Sequence, residues 1–248
     1  MTTSRWLGIL LLFYLVFLAV TAPARLAARF LPPGVSADGY LGTLWSGHVD
    51  RLQVSAFVLG PVEWRVQPHE LLLGCLAAHV RAGLPGGRFE AQVSRCLSGT
   101  SEITDLEGDL PAALLAQAAA RQGVALEGRV RPRISRVLVV DAWPVALEGE
   151  VRWTGARLLA PVEMTLGELV ARLGVRGARI LVDLDDAGGP LDLEGQLVLV
   201  RDGTWHIEGS LLPRRNADDN LRQALSLLGR PDPEGRYHFE SGGQLQRH

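Results

Sequence analysis

The stretch CLAAHVRAGLPGGRFEAQVSRC, Cys75 to Cys96, decides how the chain is read. A turn signal, Pro85-Gly86, sits at its centre, and both flanks alternate apolar with polar residues. With Pro85 and Gly86 central, the numbers of facing residues sum to 171. Arg81 then faces Glu90, His79 faces Gln92 and Cys75 faces Cys96, while Ala78, Val80 and Ala82 oppose Val93, Ala91 and Phe89. One register thus yields an apolar face, a cross-strand ion pair and a cysteine pair. Directly opposed strand residues lie within disulfide range. The expectation is a β-hairpin closed by a structural disulfide in an oxidising compartment. Two unpaired thiols are the alternative, and two thiols alone make a poor zinc site.

Outward from the hairpin, short β-type runs and glycines punctuate the chain. Leu106-Glu107-Gly108 recurs as Leu126-Glu127-Gly128, Leu147-Glu148-Gly149, Leu193-Glu194-Gly195 and Ile207-Glu208-Gly209. Glycines at strand edges suit turns and bulges, and the alternating runs that follow suit half-buried antiparallel strands. Larger matches keep the same order at offsets of 100 to 108 residues. Trp45-Ser46-Gly47 returns as Trp153-Thr154-Gly155, LGPVEW at Leu59 as LAPVEM at Leu159, and LEGDLP at Leu106 as IEGSLLP at Ile207. A helical segment follows in both halves, and Glu127-Gly128-Arg129-Val130 returns as Glu234-Gly235-Arg236-Tyr237. The order implies an internal repeat of two similar β-rich halves, about 40–140 and 145–248. No Pro/Ser-rich linker separates them, and the join near Ser135–Pro144 is mostly apolar, so a single continuous β-domain is expected. Three short helices are predicted. One covers 110–122, with Pro111 in its first turn and Gly123 as its stop. One covers 217–228, capped by Asn216, with Leu221, Leu225 and Leu228 on one stripe and Gly229 at its end. One covers 166–173, opened by the capping box Thr165-x-x-Glu168.

At the N-terminus, Trp6 to Ala22 is an uncharged run of 17 residues. As a helix it reaches about 26 Å, near the minimum for a hydrocarbon core. Val20-Thr21-Ala22 has the form of a signal-peptide site, but Pro23 just past the cut is a poor substrate and the run is long for a signal. An uncleaved membrane anchor over residues 1–24 is expected, with 25–248 as the soluble β-rich body. Arg25 and Arg29 lie beyond the run, so charge bias says little; the short five-residue head favours an N-terminus left inside.

The whole chain has 248 residues, 47% of them apolar, with 25 basic against 27 acidic residues. Every basic residue is arginine. The absence of lysine excludes a Walker A site, a Schiff-base lysine and a Ser-x-x-Lys dyad. Without Arg5 the body carries a net charge of −3, so it is neither a nucleic-acid binder nor a polybasic lipid-hugging surface.

No catalytic or metal constellation emerges. Asp183, Asp185, Gly188 and Glu194 fit positions 1, 3, 6 and 12 of a calcium loop. Ala187 and Pro190 break that pattern, and a polar turn between strands fits better. The histidines lack ligand spacing, and His206 lies inside a strand pattern. Ser46 has Leu44 where a nucleophile elbow needs glycine. Trp45, Trp64, Trp153 and Trp205 occupy strand positions, where packing is the ordinary role.

The stretch Gly42-Thr43-Leu44-Trp45-Ser46-Gly47, then Trp64, Pro68 and Leu71-Leu72, resembles the N-terminal pattern of the type II secretion system protein N family. The later part agrees through Gly189-Pro190-Leu191, Gly203-Thr204-Trp205, the helix from Ala217 to Leu228-Gly229, and Gly235-Arg236; the resemblance reaches about Leu245. It implies a bacterial inner-membrane protein with one anchor and a periplasmic, mainly β domain; the strand and helix patterns themselves are read as a large antiparallel, curved sheet with two or three short helices. It would be an accessory part of the apparatus that exports folded proteins. The implied partners are the inner-membrane platform subunits and the outer-membrane secretin. The family brings no catalytic residues and no cofactor, and the cysteines lie outside its pattern. The alternative function is a membrane-anchored periplasmic lipid-binding or lipid-transfer β-groove. Against that, the small residues Ala78, Ala82 and Ala91 suggest a packed core.

Overall fold

The computed structural model describes residues 2–30, 34–54, 57–114, 125–160 and 163–244. The chain forms two compact units, Met1–Leu97 and Ser98–His248. Their boundary follows the cysteine hairpin. The join of the two sequence halves, between 140 and 145, falls at the tip of the longest hairpin, where Asp141 and Ala142 turn at positive φ.

The first unit begins with α1, Thr2–Val20, and a 3-10 segment, Ala24–Phe30. Six strands follow before the hairpin: β1 (Val35–Asp38), β2 (Leu41–Gly42), β3 (Ser46–Val49), β4 (Arg51–Val54), β5 (Phe57–Leu59) and β6 (Val62–Gln67). The hairpin is β7 (Cys75–Leu84) and β8 (Gly87–Cys96). Every pairing read from the sequence is present, including Arg81 opposite Glu90 and Cys75 opposite Cys96. Strands β2, β3, β6, β7 and β8 pair in that order, and β1, β4 and β5 form a second, three-stranded sheet. Val49, Val62 and Ala82 are buried between them, with Ala37, Tyr40, Leu52, Leu59, Trp64, Val80 and Phe89 packed around. The small Ala82 and Ala91 are both buried.

The second unit is an antiparallel meander in strict chain order. Its strands are β9 (Ser101–Pro111), β10 (Ala125–Val140), β11 (Trp143–Ala160), β12 (Met164–Arg176), β13 (Arg179–Gly188), β14 (Leu191–Val200), β15 (Thr204–Pro213) and β16 (Tyr237–Gln244). The period-two alternation sorts its two faces. Directly opposed residues Glu107, Arg133, Glu150, Arg172, Asp183, Gln196, Glu208 and Glu240 make one polar row across all eight strands. One residue further along each strand, on the opposite face, run Leu106, Ile134, Gly149, Leu173, Val182, Leu197 and Ile207. The recurring Leu-Glu-Gly triplets are this geometry. In β9, β11, β14 and β15 the glutamate joins the charged face, while the flanking aliphatic residue and glycine turn to the apolar one. These glycines therefore lie within strands, not at their edges. Gly195 and Gly209 oppose each other, and a Cβ on Gly209 would sit 2.6 Å from the Phe239 ring that covers them.

One helix, α2 (Asp219–Ser226), closes one end of the apolar face. Leu221 and Leu225 are buried against Leu191, with Met164, Leu166, Leu193, Leu211 and Tyr237 around them. Its N-cap is Asp218, whose carboxylate accepts the Leu221 N–H at 2.7 Å, and not Asn216. Leu228 falls beyond the helix and is 49% exposed, so only two leucines of the expected stripe are buried.

Residues 166–173 are strand, not helix. Leu169, Ala171 and Leu173 alternate with Val170 and Arg172, and that pairing outweighs the Thr165-x-x-Glu168 cap signal. Gly167 has φ +99° and touches the Gly188–Gly189 backbone, which a helical turn does not permit. Of the predicted helix 110–122, Leu110 and Pro111 end β9; the chain turns helical at 112–114, and 115–124 with Gly123 lie outside the described residues. Pro161 and Val162 of the LAPVEM match also lie outside them, as does Leu245.

Two of the sequence matches fall wholly within this unit, whereas Trp45 lies in a turn and its counterpart Trp153 in β11. Leu110 pairs with Val130, and their counterparts Leu211 and Tyr237 pair likewise. Each upstream strand ends in a proline, Pro111 or Pro213. Arg129 donates to Asp109 at 2.6 Å, and its counterpart Arg236 donates to Ser210 Oγ at 3.1 Å.

Candidate functional site

The family-pattern residues near the N-terminus build a clasp. Thr43 N–H donates to the Ser46 carbonyl at 2.9 Å, and Ser46 N–H returns to Thr43 Oγ1 at 3.1 Å. Gly42 and Gly47 are required by close approach: a Cβ on Gly42 would meet the Ser46 carbonyl at 2.6 Å, and one on Gly47 the Trp64 ring at 2.7 Å. Trp64 Nε1 donates to the Leu44 carbonyl at 2.9 Å. Trp45 lies in the turn and not in a strand, and its carbonyl accepts Val66 N–H. Leu44 N–H donates to the Ala22 carbonyl at 2.8 Å, and Pro23 bridges Thr43. The motif therefore fastens the segment leaving α1 to the sheet.

The later pattern residues form a polar corner beside α2. The Gly189 carbonyl accepts from Arg214, whose backbone N–H donates to the Pro190 carbonyl. Arg214 also pairs with Asp186 at 2.8 Å and Asp192 at 3.5 Å, and Asp192 pairs with Arg236 at 2.9 Å. Asp186 raises the Arg214 pKa further above its already high value through its hydrogen bond. Gly235 sits in a turn held by Asp232, whose Oδ1 accepts the Glu234 and Arg236 N–H groups. The His238 hydrogen bond at 2.9 Å, followed by the Arg236 N–H, holds the Asp232 carboxyl below its ordinary range. Gly203 turns β14 into β15, Trp205 lies over Gly243, and Gly229 follows α2. Asp186, Asp192 and Arg214 were not singled out by sequence reasoning, because nothing in a linear pattern signals their convergence from three strand ends.

The calcium-like residues sit on two paired strands. Asp185 opposes Glu194 and pairs with Arg172, while Asp183 accepts from Gln196 at 2.7 Å. Gly189-Pro190 makes the turn between β13 and β14. Among the described residues no group of His, Cys, Asp and Glu side chains fits a metal ion. The disulfide Cys75–Cys96 is formed, with Cα atoms 4.0 Å apart.

Two features offer contact surface. Among the described residues strand β16 pairs with β15 alone, which leaves an open edge; its Glu240 lies 3.8 Å from His206 of β15, which also pairs with Glu208 at 3.6 Å. Residues of both faces, among them Leu106, Ile134, Leu173 and Val175 with Glu107, Arg133, Glu150 and Arg172, border a depression of about 780 Å³. Residues 33–240 match the model of the family described as type II secretion system (T2SS), protein N. The chain belongs to that family.

Relatives named type II secretion system protein N cover nearly the full length. The Aeromonas hydrophila protein is 27% identical, over 96% of this chain and 97% of its own. That of Vibrio cholerae is 27% identical over 98% and 100%, and that of Klebsiella pneumoniae 30% over 93% and 92%. No solved structure matches the chain. As a protein N, the chain is a component of the type II secretion apparatus and works in the cell envelope with other parts of that machine. Among the described residues no helix is long and apolar enough to cross a membrane.

Proposed function

We propose that this protein N is a non-enzymatic accessory component of the secretion apparatus, held at the inner membrane by α1 with its β-rich body in the periplasm. The observation that carries the reading is the family match across 33–240. Anchoring by α1 is supported by its uncharged run and by its open apolar side chains: Trp6, Leu10, Phe13, Tyr14 and Phe17 are all at least 60% exposed. The disulfide supports an oxidising compartment. The two sequence halves are a duplication, supported by the equivalent pairings of β9 with β10 and β15 with β16. The body meets platform subunits and the secretin by strand addition at the β16 edge, where unpaired backbone groups offer a template.

A mild-detergent pull-down of the full chain, read by mass spectrometry, tests this. Secretion subunits are expected, and a photo-crosslinker at the exposed Glu240 should capture one of them, whereas one at Arg179 should not. The apolar row of the meander favours a second reading, a lipid-binding β-groove. The row extends about 29 Å at ~4.8 Å per strand and is only half-buried. Stoichiometric phospholipid without secretion subunits would establish that reading instead.

A further inference from the structure

The end of the first sheet that receives α1 also displays a cluster of bare leucines. Between β6 and β7 the chain makes a 3-10 turn, Pro68–Leu73, closed by Gly74 in the left-handed region. Leu72 and Leu73 are 90% and 76% exposed, and Leu76 52%. Leu97, just past the partner cysteine, is 94% exposed. Gly74 N–H donates to the Leu71 carbonyl and Leu97 N–H to the Gly74 carbonyl, both at 3.0 Å. With the Cys75–Cys96 disulfide beside them, these bonds fix the leucines on one rigid knuckle. Single exposed leucines are ordinary; four converging on one turn are a patch that needs a cover.

Register identifies the cover. The Thr43–Trp45 turn is bonded to Ala22 on one side and to Val66 on the other. Gln67 pairs with Ala77, and Cys75 with Cys96, so the knuckle and the root of α1 lie at the same end of the sheet. From β2 to β7 is three strand spacings, about 14 Å. We infer that Leu72, Leu73, Leu76 and Leu97 insert into the bilayer surface at the foot of α1. The knuckle acts as a second, shallow membrane contact that fixes the orientation of the first unit on the lipid. Arg95 is the one basic residue beside the leucines themselves, which therefore meet the acyl boundary, while Arg25 and Arg29 at the root of α1 stand at headgroup level. This rests on the anchoring of α1 proposed above.

The test uses the full chain in phosphatidylethanolamine–phosphatidylglycerol nanodiscs. An environment-sensitive fluorescent amino acid replaces Leu72 or Leu97, or Arg88 near the hairpin tip at the opposite end of the sheet. All three side chains are exposed, so folding is preserved. A blue shift at 72 and 97, and loss of emission to lipids carrying a shallow nitroxide, are expected, with neither at 88. Emission at 72 and 97 matching that at 88, on a chain retained through an alkaline wash, would overturn the knuckle contact alone. A blue shift appearing only on addition of secretion subunits would overturn it in favour of a protein cover. A chain released by the wash would overturn both this contact and the α1 anchor.

Discussion

The two units bury their sheets in different ways. In Met1–Leu97 a second, three-stranded sheet covers the hairpin's apolar side, and a disulfide closes its end. In Ser98–His248 eight strands run as a meander whose apolar row is half-buried, with α2 covering one end. The first unit has a layered core and a covalent staple. The second depends on neighbour-to-neighbour pairing, on arginine–carboxylate contacts along its polar face and on two leucines. Among the described residues its sheet has no full second layer, which leaves surface for partners and suits a component of an assembly.

The largest test of that contrast is Leu221→Ala, which removes a fully buried side chain from the only plug the described residues show. A loss of about 3 kcal/mol is expected in denaturant unfolding of the second unit, with the first unit's transition unmoved. Replacing Cys75 and Cys96 together by serine should do the reverse. Opening a cross-link of 21 residues' separation costs about 3 kcal/mol in the first unit by the loop-entropy account. If both changes shifted one common transition, the units would not be independent and the comparison would fail.

Trp64→Phe removes the donor to the Leu44 carbonyl while keeping the ring. About 1 kcal/mol is expected, together with faster amide exchange in the Thr43–Ser46 turn. Arg133→Gln, on the exposed polar row, should change stability by under about 0.5 kcal/mol; a larger effect would mean that the charged row carries the second unit.

Acid sharpens the picture further. The Asp232 carboxyl is held below its ordinary 3.8 by the His238 hydrogen bond and then by the Arg236 N–H. Its contribution is fully present above that ordinary value and is lost as pH falls through the depressed folded value. Amide exchange at Gly235 and Arg236 should therefore accelerate below about pH 4. His238→Ala should move that acceleration to higher pH.

Much of the architecture was legible because strand alternation is a local signal. The hairpin was readable to the residue, since two cysteines, one ion pair and a proline–glycine turn admit a single register. The Leu-Glu-Gly triplets announced repeated strands, although their glycines proved to be positions of close approach within strands. The errors share a cause. Thr165-x-x-Glu168 mimics a helix cap, and Asn216 stands where a cap is expected, but both signals are short-range and yielded to sheet pairing and to the packing of Leu221 and Leu225. The polar corner of Asp186, Asp192, Arg214 and Arg236 was invisible because its members converge only when β13, β14, β15 and β16 are laid side by side.

By itself the sequence determined the chain's class, its β-hairpin and cysteine pair, its family pattern and its lysine-free composition, because composition and period-two spacing are properties of neighbours along the chain. Only the tertiary structure decided that the chain divides after Leu97, that one face of the meander is left half-covered, and that four leucines stand bare beside the root of α1. Those facts depend on which distant strands pair and what then remains to cover them, and no local pattern encodes a missing layer.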